Sequence, residues 1–68
     1  MTFTVGDQIT SGPCPPVGAV VVQHGVAGQV LLDWGEVHVR FVEPDDLLWE
    51  DVLAAGPVLL VWLPEGDN

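Results

Sequence analysis

Two histidines and two carboxylates are the residues of this 68-residue chain that first suggest metal chemistry. His24 and His38 fall in different predicted strands, with Asp33 and Glu36 between them. A zinc site in a small domain needs a closed set of ligands at short spacing, and these histidines do not belong to one. We therefore predict that both are ordinary polar residues, and we expect neither a metal site nor a cofactor.

A group of carboxylates in residues 43–51 is a second candidate for cation binding. It lacks the alternating spacing and the glycine of a calcium loop. Carboxylates at the start of a helix interact favourably with the positive end of its dipole. We therefore predict a solvated acidic surface around a helical turn, formed by Glu43, Asp45, Asp46, Glu50 and Asp51.

Cys14 is the one cysteine and the one candidate thiol nucleophile. With His24 as its base it would still need an orienting third group and an oxyanion hole on a rigid scaffold. It lies instead within residues 11–16, where three prolines each remove a backbone donor and prevent a sheet ladder. We predict an exposed loop with a surface thiol, and a protein that is not an enzyme. A lone cysteine permits no internal disulfide, which favours a cytoplasmic location.

Charge narrows the range of partners further. The chain has ten acidic residues, one arginine and no lysine, a formal net charge of −9. Binding to nucleic acid or to an anionic membrane requires basic residues, so neither partner is expected. The start of the sequence lacks the basic and apolar regions of a signal peptide, and no apolar run approaches the ~20 residues that span a bilayer. The acidity serves either solubility or a basic protein partner, including the case of DNA mimicry.

The elements that would position these groups centre on residues 18–41, which predict a three-stranded antiparallel meander. We expect strands at 17–24, 29–34 and 37–42, joined by a loop at 25–28 and a turn at 35–36, because β-branched runs are bounded by glycines. The alternation of the third strand predicts one buried face. The predicted inner face holds Val20, Val22, Val30, Leu32, Trp34, Val37, Val39 and Phe41. The predicted outer face holds Ala19, Val21, Gln23, Gln29, Leu31, Asp33, His38 and Arg40.

The flanking segments predict shorter elements. Phe3 and Val5 are expected to pair onto the sheet before a turn at Gly6 and Asp7 and a short strand at 8–10. Residues 43–47 carry helix-start features, and we expect a helical or 3₁₀ turn there, a brief extended piece, and a second turn at 51–55 that ends at Gly56. The alternatives are a helix that continues through residues 49–55 and a short strand at 47–49.

Residues 58–63 are apolar on both faces and are expected to form an additional C-terminal strand. It is either a fully covered internal strand or the seam of a homodimer. We expect one domain over residues 1–64 and a frayed acidic tail at 65–68.

The chain resembles small SH3-like or Tudor-like β-barrel modules of bacterial and phage proteins. The resemblance covers residues 5–48 and rests on four segments: Val5 to Ile9, Val17 to Val21, Val30 to Gly35, and Val42 to Leu47. It implies an all-β fold, a small SH3-like barrel of about five short antiparallel strands with a short helical or 3₁₀ turn. The tyrosine-rich groove of peptide-binding relatives and the basic loops of nucleic-acid-binding relatives are absent. An aromatic cage of the Tudor type would have to use Trp34, Phe41, Trp49 and Trp62.

Taken together, these features favour a non-enzymatic, acidic protein-interaction module over an enzyme or a ligand-binding cage, which needs a concave site with convergent polar groups. Three tryptophans are more than so small a domain buries easily. We expect binding to a protein partner, or self-association as a homodimer, through Val21, Leu31, Trp49, Val58, Leu60 and Trp62. The alternative is an acidic decoy that occupies a basic, nucleic-acid-binding surface of another protein.

Overall fold

The computed structural model describes residues 3–42 and 45–64 as one antiparallel sheet with a short helix. The sheet has the strand order β1-β6-β2-β3-β4-β5. This confirms the predicted all-β class and the added C-terminal strand. The ladders of the described residues leave β1 and β5 as edges, so the sheet is open. The elements are β1 (Gln8–Ile9), β2 (Val20–Gln23), β3 (Val26–Asp33), β4 (Glu36–Val42), β5 (Asp45–Leu48), α1 (Trp49–Ala55) and β6 (Val58–Trp62).

Two-residue turns join the three central strands. His24 and Gly25 have φ values of 53° and 78°, and Trp34 and Gly35 have 53° and 76°. Positive φ at both central residues is the requirement of a type I′ hairpin turn, whose twist matches that of the flanking strands. The predicted loop at 25–28 and turn at 35–36 are therefore wrong. β3 already begins at Val26.

The short first turn decides which face of β2 is buried. It places Val21 opposite Gly28, and the next hairpin places Val30 opposite Val39. Since side chains alternate along a strand, Val21 shares the inner face with Val30. The prediction that Val20 and Val22 lie inside and that Ala19, Val21 and Gln23 lie outside is wrong. Ala19, Val21 and Gln23 are buried, and the other two valines are half-buried.

The inner face and α1 enclose the core, in which most side chains have no exposed surface. Phe41 extends it by lying over Gly28, where a Cβ atom would come within 2.6 Å of the ring. The ring thus covers backbone that has no side chain of its own. The core residues are Ile9, Ala19, Val21, Val30, Val39, Val52, Val58 and Leu60.

The region after β4 differs from its prediction in one respect. Asp45–Leu48 is a strand paired with β4, whereas a helical turn was expected over residues 43–47. Asp45 and Asp46, which resemble a helix start, lie in β5, and the helix begins directly after that strand. The second predicted turn, at 51–55, is confirmed as part of α1, and Gly56 ends the helix with a φ of 137°. Glu43, Pro44 and the predicted tail at 65–68 lie outside the described residues.

The N-terminal segment forms a turn rather than a longer strand. The Asp7 carboxylate accepts a 2.9 Å hydrogen bond from the backbone N–H of Thr4, as expected for a Gly-Asp turn. Phe3 precedes this turn and Val5 lies within it, and neither pairs in the sheet, contrary to prediction. β1 is limited to Gln8–Ile9 and pairs with β6. No helix in the described part of the chain is long and apolar enough to cross a membrane.

Candidate functional site: the outer face of the sheet

The six predicted contact residues separate into core and surface. Val21, Val58 and Leu60 have no exposed surface within the single chain, so they belong to the core. Val58 and Leu60 were predicted as contact residues because β6 is apolar on both faces, and Val21 because it was assigned to the outer face of the meander. Instead, burial alternates from Val58 to Val61, so the core covers one face of β6, while Leu59, Val61 and Trp62 reach solvent. Leu31 and Trp49 are half-buried, and Trp62 is 50% exposed.

Trp49 makes a contact within the chain that accounts for its position. Its indole N–H donates a 2.9 Å hydrogen bond to the carbonyl oxygen of Gly12, and its ring packs against the core. The bond connects the start of α1 to the proline-rich loop. This indole has a structural role in the single chain.

An apolar strip crosses the outer face where β6 meets β2. Leu59 lies opposite Val22, and Trp62 lies opposite Val20. The register shifts between these two pairs, so Val61 is an extra residue of β6 at a bulge. The shift brings the large indole of Trp62 to the same side of the sheet as Leu59, which is 42% exposed. We call Val20, Val22, Leu59 and Trp62 the outer strip.

Polar groups separate the outer strip from the far side of the same face. Arg40 binds Asp46 through two hydrogen bonds, Nε to Oδ1 at 2.6 Å and Nη2 to Oδ2 at 3.1 Å. The bonded guanidinium holds the pKa of the Asp46 carboxyl below its ordinary value, against a smaller opposing effect of desolvation. Gln29 lies opposite Arg40 on β3 and donates a longer bond of 3.4 Å to the Gly18 carbonyl.

Beyond this polar row, His38 lies between Leu31 and Leu48 on neighbouring strands. Its Nδ1 atom is buried without a hydrogen-bond partner in the described structure. Leu31 was predicted on this outer face and is found there. All three side chains are half-buried, so this row presents less apolar surface than the outer strip.

The predicted acidic surface lies on β5 and the first turn of α1. Asp45, Glu50 and Asp51 are exposed, whereas Asp46 is half-buried and bound to Arg40. Glu43 lies outside the described residues. The described residues contain no group of three or more histidine, cysteine, aspartate or glutamate side chains that could hold a metal ion.

Cys14 is less exposed than predicted. It is half-buried and packs against the core. Burial raises the pKa of its thiol to about 11. A thiol with so high a pKa is a poor nucleophile at neutral pH, since the thiolate is the reactive form.

The tip of the β3–β4 hairpin is the surface that the sequence reasoning missed. Trp34 was predicted inside the meander but is 93% exposed, and Leu32 is 62% exposed. Gly35 was the available signal, because glycine tolerates the positive φ of a type I′ turn, but tryptophan is not typical of the preceding turn position. A tryptophan in such a turn must point away from the sheet interior.

Comparisons of the chain with protein-family models, with curated proteins and with solved structures give no match.

Proposed function

We propose that this protein is a non-enzymatic interaction module whose outer strip contacts another protein or a second copy of the chain. The observation that supports it is the half-exposed indole of Trp62 beside Leu59, on a strand that is hydrogen-bonded on both sides. Exposed large apolar side chains that are contiguous across strands are typical of interaction surfaces. Trp is also among the residues that contribute most to binding where they are buried at interfaces.

The site uses side chains rather than a sheet edge. β6 lies between β1 and β2 in the sheet, so it is an internal strand and not an edge that a partner strand would extend. A partner would instead lie flat on the outer face and cover the outer strip. We also propose that the sheet curls around the core into an SH3-like barrel and that the protein is cytoplasmic. The antiparallel order of the strands and the short helix between β5 and β6 support the barrel, and the single cysteine supports the location.

A substitution that introduces a charge at the strip tests the proposal. Trp62→Asp removes the indole from an exposed position, and Val5→Asp, at a residue that is 54% exposed near the N-terminus, is the matched control. Light scattering over a concentration series and capture from a lysate of the native host are compared for both variants. We expect a dimer, or a retained partner, that Trp62→Asp abolishes and Val5→Asp preserves. A strict monomer that captures the same proteins with and without Trp62 would contradict the proposal.

The acidic decoy remains the alternative function, and it relies on different residues. Asp45, Glu50 and Asp51 are exposed on adjoining elements, and the chain carries a net charge of −9. A decoy would bind a basic nucleic-acid-binding protein, compete with DNA for it, and lose affinity as salt rises. Neutralising these three carboxylates together would abolish that binding, whereas Trp62→Asp would leave it intact.

A further inference from the structure

The tip of the β3–β4 hairpin presents an indole that the fold does not use. Trp34 is 93% exposed, more than any other large apolar residue of the described chain, and Leu32 beside it is 62% exposed. Neither side chain belongs to the buried core. Large apolar side chains in contact with water have an unfavourable free energy of solvation, and burial against a partner would remove that cost.

The backbone at Trp34 adds a second cost. Its φ of 53° lies in the left-handed region, which bulky side chains seldom adopt. Type I′ turns favour asparagine or glycine at this position, and Gly35 already meets the requirement at the next one. A tryptophan here therefore serves neither the turn nor the core. Strained backbone positions of this kind are concentrated at functional sites.

The charges around the indole indicate the chemistry of its partner. Asp33 and Glu36 lie directly opposite each other across the last pair of the hairpin, next to Trp34. Like charges in this position repel each other, and a cation placed near both would relieve the repulsion. A second copy of this chain is a poor source of that cation, because it carries the same net charge of −9 and its one arginine binds Asp46.

From these observations we propose that the hairpin tip, residues 32–36, docks Trp34 into an apolar pocket rimmed by lysine or arginine on another protein. The exposed indole fills the pocket, and Asp33 and Glu36 pair with its rim. The hairpin tip is separate from the outer strip, so docking through Trp34 can be true or false independently of the function proposed above. Trp62 variants report on the outer strip, and Trp34 variants report on the hairpin tip.

A chemical mimic of such a pocket tests the recognition directly. Amino-substituted β-cyclodextrin has an apolar cavity with a rim of ammonium groups, and unmodified β-cyclodextrin is its neutral control. The protein is labelled with 5-fluorotryptophan and titrated by ¹⁹F NMR, with signals assigned from Trp34→Asn, Trp49→Phe and Trp62→Phe. We expect the Trp34 signal to shift first. We expect at least about 5-fold tighter binding to the amino form at low salt, as for one ion pair in water.

Two controls make the titration decisive. In the Asp33→Asn/Glu36→Gln variant the preference for the amino form should disappear while the neutral form still binds. Trp34→Asn should abolish the first binding event, and circular dichroism will show that it is folded. Equal affinity for both cyclodextrins in the unaltered protein, or a Trp62 signal that shifts before that of Trp34, would overturn the proposal.

The natural partner is sought with the same variants. Lysate of the native host is passed over the unaltered protein, Trp34→Asn, Trp34→Phe and Trp62→Asp, and any protein lost only with Trp34→Asn is purified. The proposal expects at least about 30-fold weaker binding of that protein to Trp34→Asn, as for an interface hot spot, with partial recovery in Trp34→Phe. Identical captured sets, the absence of any captured protein, or self-association that depends on Trp34 would overturn it.

Discussion

The side-chain amide of Gln23 donates a 2.7 Å hydrogen bond to the carbonyl oxygen of Val52 and so joins β2 to α1. The same amide donates a 3.0 Å bond to the Gly56 carbonyl. The last carbonyl groups of a helix have no hydrogen-bond donor within the helix. The Gly56 N–H, which could otherwise bond to the Val52 carbonyl, is bonded to the Leu53 carbonyl. One buried side chain thereby satisfies two acceptors at the end of α1.

Replacing this amide should destabilise the protein. Gln23→Leu leaves two partly buried carbonyls without donors, and we expect a loss of about 2 kcal/mol in the free energy of unfolding. Gln29→Leu, at an exposed glutamine of β3, is the matched control and should change stability by less than about 0.5 kcal/mol. Urea denaturation followed by circular dichroism measures both. Equal stability of the two variants would show that the bonds at the helix end contribute little.

The contact of Phe41 with Gly28 predicts a second effect on stability. A Cβ atom at Gly28 would lie 2.6 Å from the ring, so Gly28→Ala must displace Phe41. We expect a loss of about 1–3 kcal/mol, the usual cost of overpacking. In a Phe41→Leu background the same substitution should cost less, because the smaller side chain leaves room for the methyl group. A double-mutant cycle with no coupling between these positions would contradict the contact.

The Arg40–Asp46 pair predicts a pH dependence. Since the pKa of Asp46 is lowered in the folded protein, its contribution to stability is present above the carboxyl's ordinary value of 3.8. That contribution is lost as the pH falls through the lowered pKa. The stability difference between the unaltered protein and Asp46→Asn should therefore shrink at low pH.

NMR of the carboxyl carbons measures the same pKa directly. The Asp46 signal should titrate at a higher pH in Arg40→Gln than in the unaltered protein, because the bonded guanidinium is the main cause of the shift. An unchanged midpoint in that variant would assign the shift to another cause.

Cys14 should react slowly while the protein is folded. Burial raises the pKa of its thiol from 9.0 to about 11, which lowers the thiolate fraction near neutral pH about 100-fold. The greater nucleophilicity of a more basic thiolate offsets part of this. We expect reaction with a disulfide reagent at pH 8 to be at least about 10-fold slower in buffer than in urea. Equal rates would show that the thiol is solvated in the folded state.

The fold class was predictable because β2 and β4 are rich in β-branched residues, and glycine or proline separates several of the apolar segments. The register was harder to predict, because His24 and Trp34 occupy turn positions where asparagine would have been the recognisable signal. The first turn is shorter than expected and the second begins one residue earlier, and the length of the first decides which face of β2 is buried. β5 was missed since Asp45 and Asp46 resemble the start of a helix, whereas pairing with β4 makes them a strand.

The candidate site was predicted in part. Trp62 lies at the surface, as the excess of tryptophan suggested, but Val58 and Leu60 on the same strand are core residues. A uniformly apolar strand gives no indication of which alternate residues are covered. Its neighbours determine this, and β6 pairs with β1 and β2 from distant parts of the chain.

The position of β6 also has a consequence for how the chain acquires its structure. β1 pairs with β6, which lies about fifty residues later in the chain, and one edge of β2 stays unpaired until β6 inserts between the two strands. Contacts so far apart in sequence form slowly. During the delay, an extended segment of a neighbouring newly made chain fits the gap as well as the chain's own β6 does. High local concentration during synthesis is thus the condition under which this protein is most prone to exchange strands.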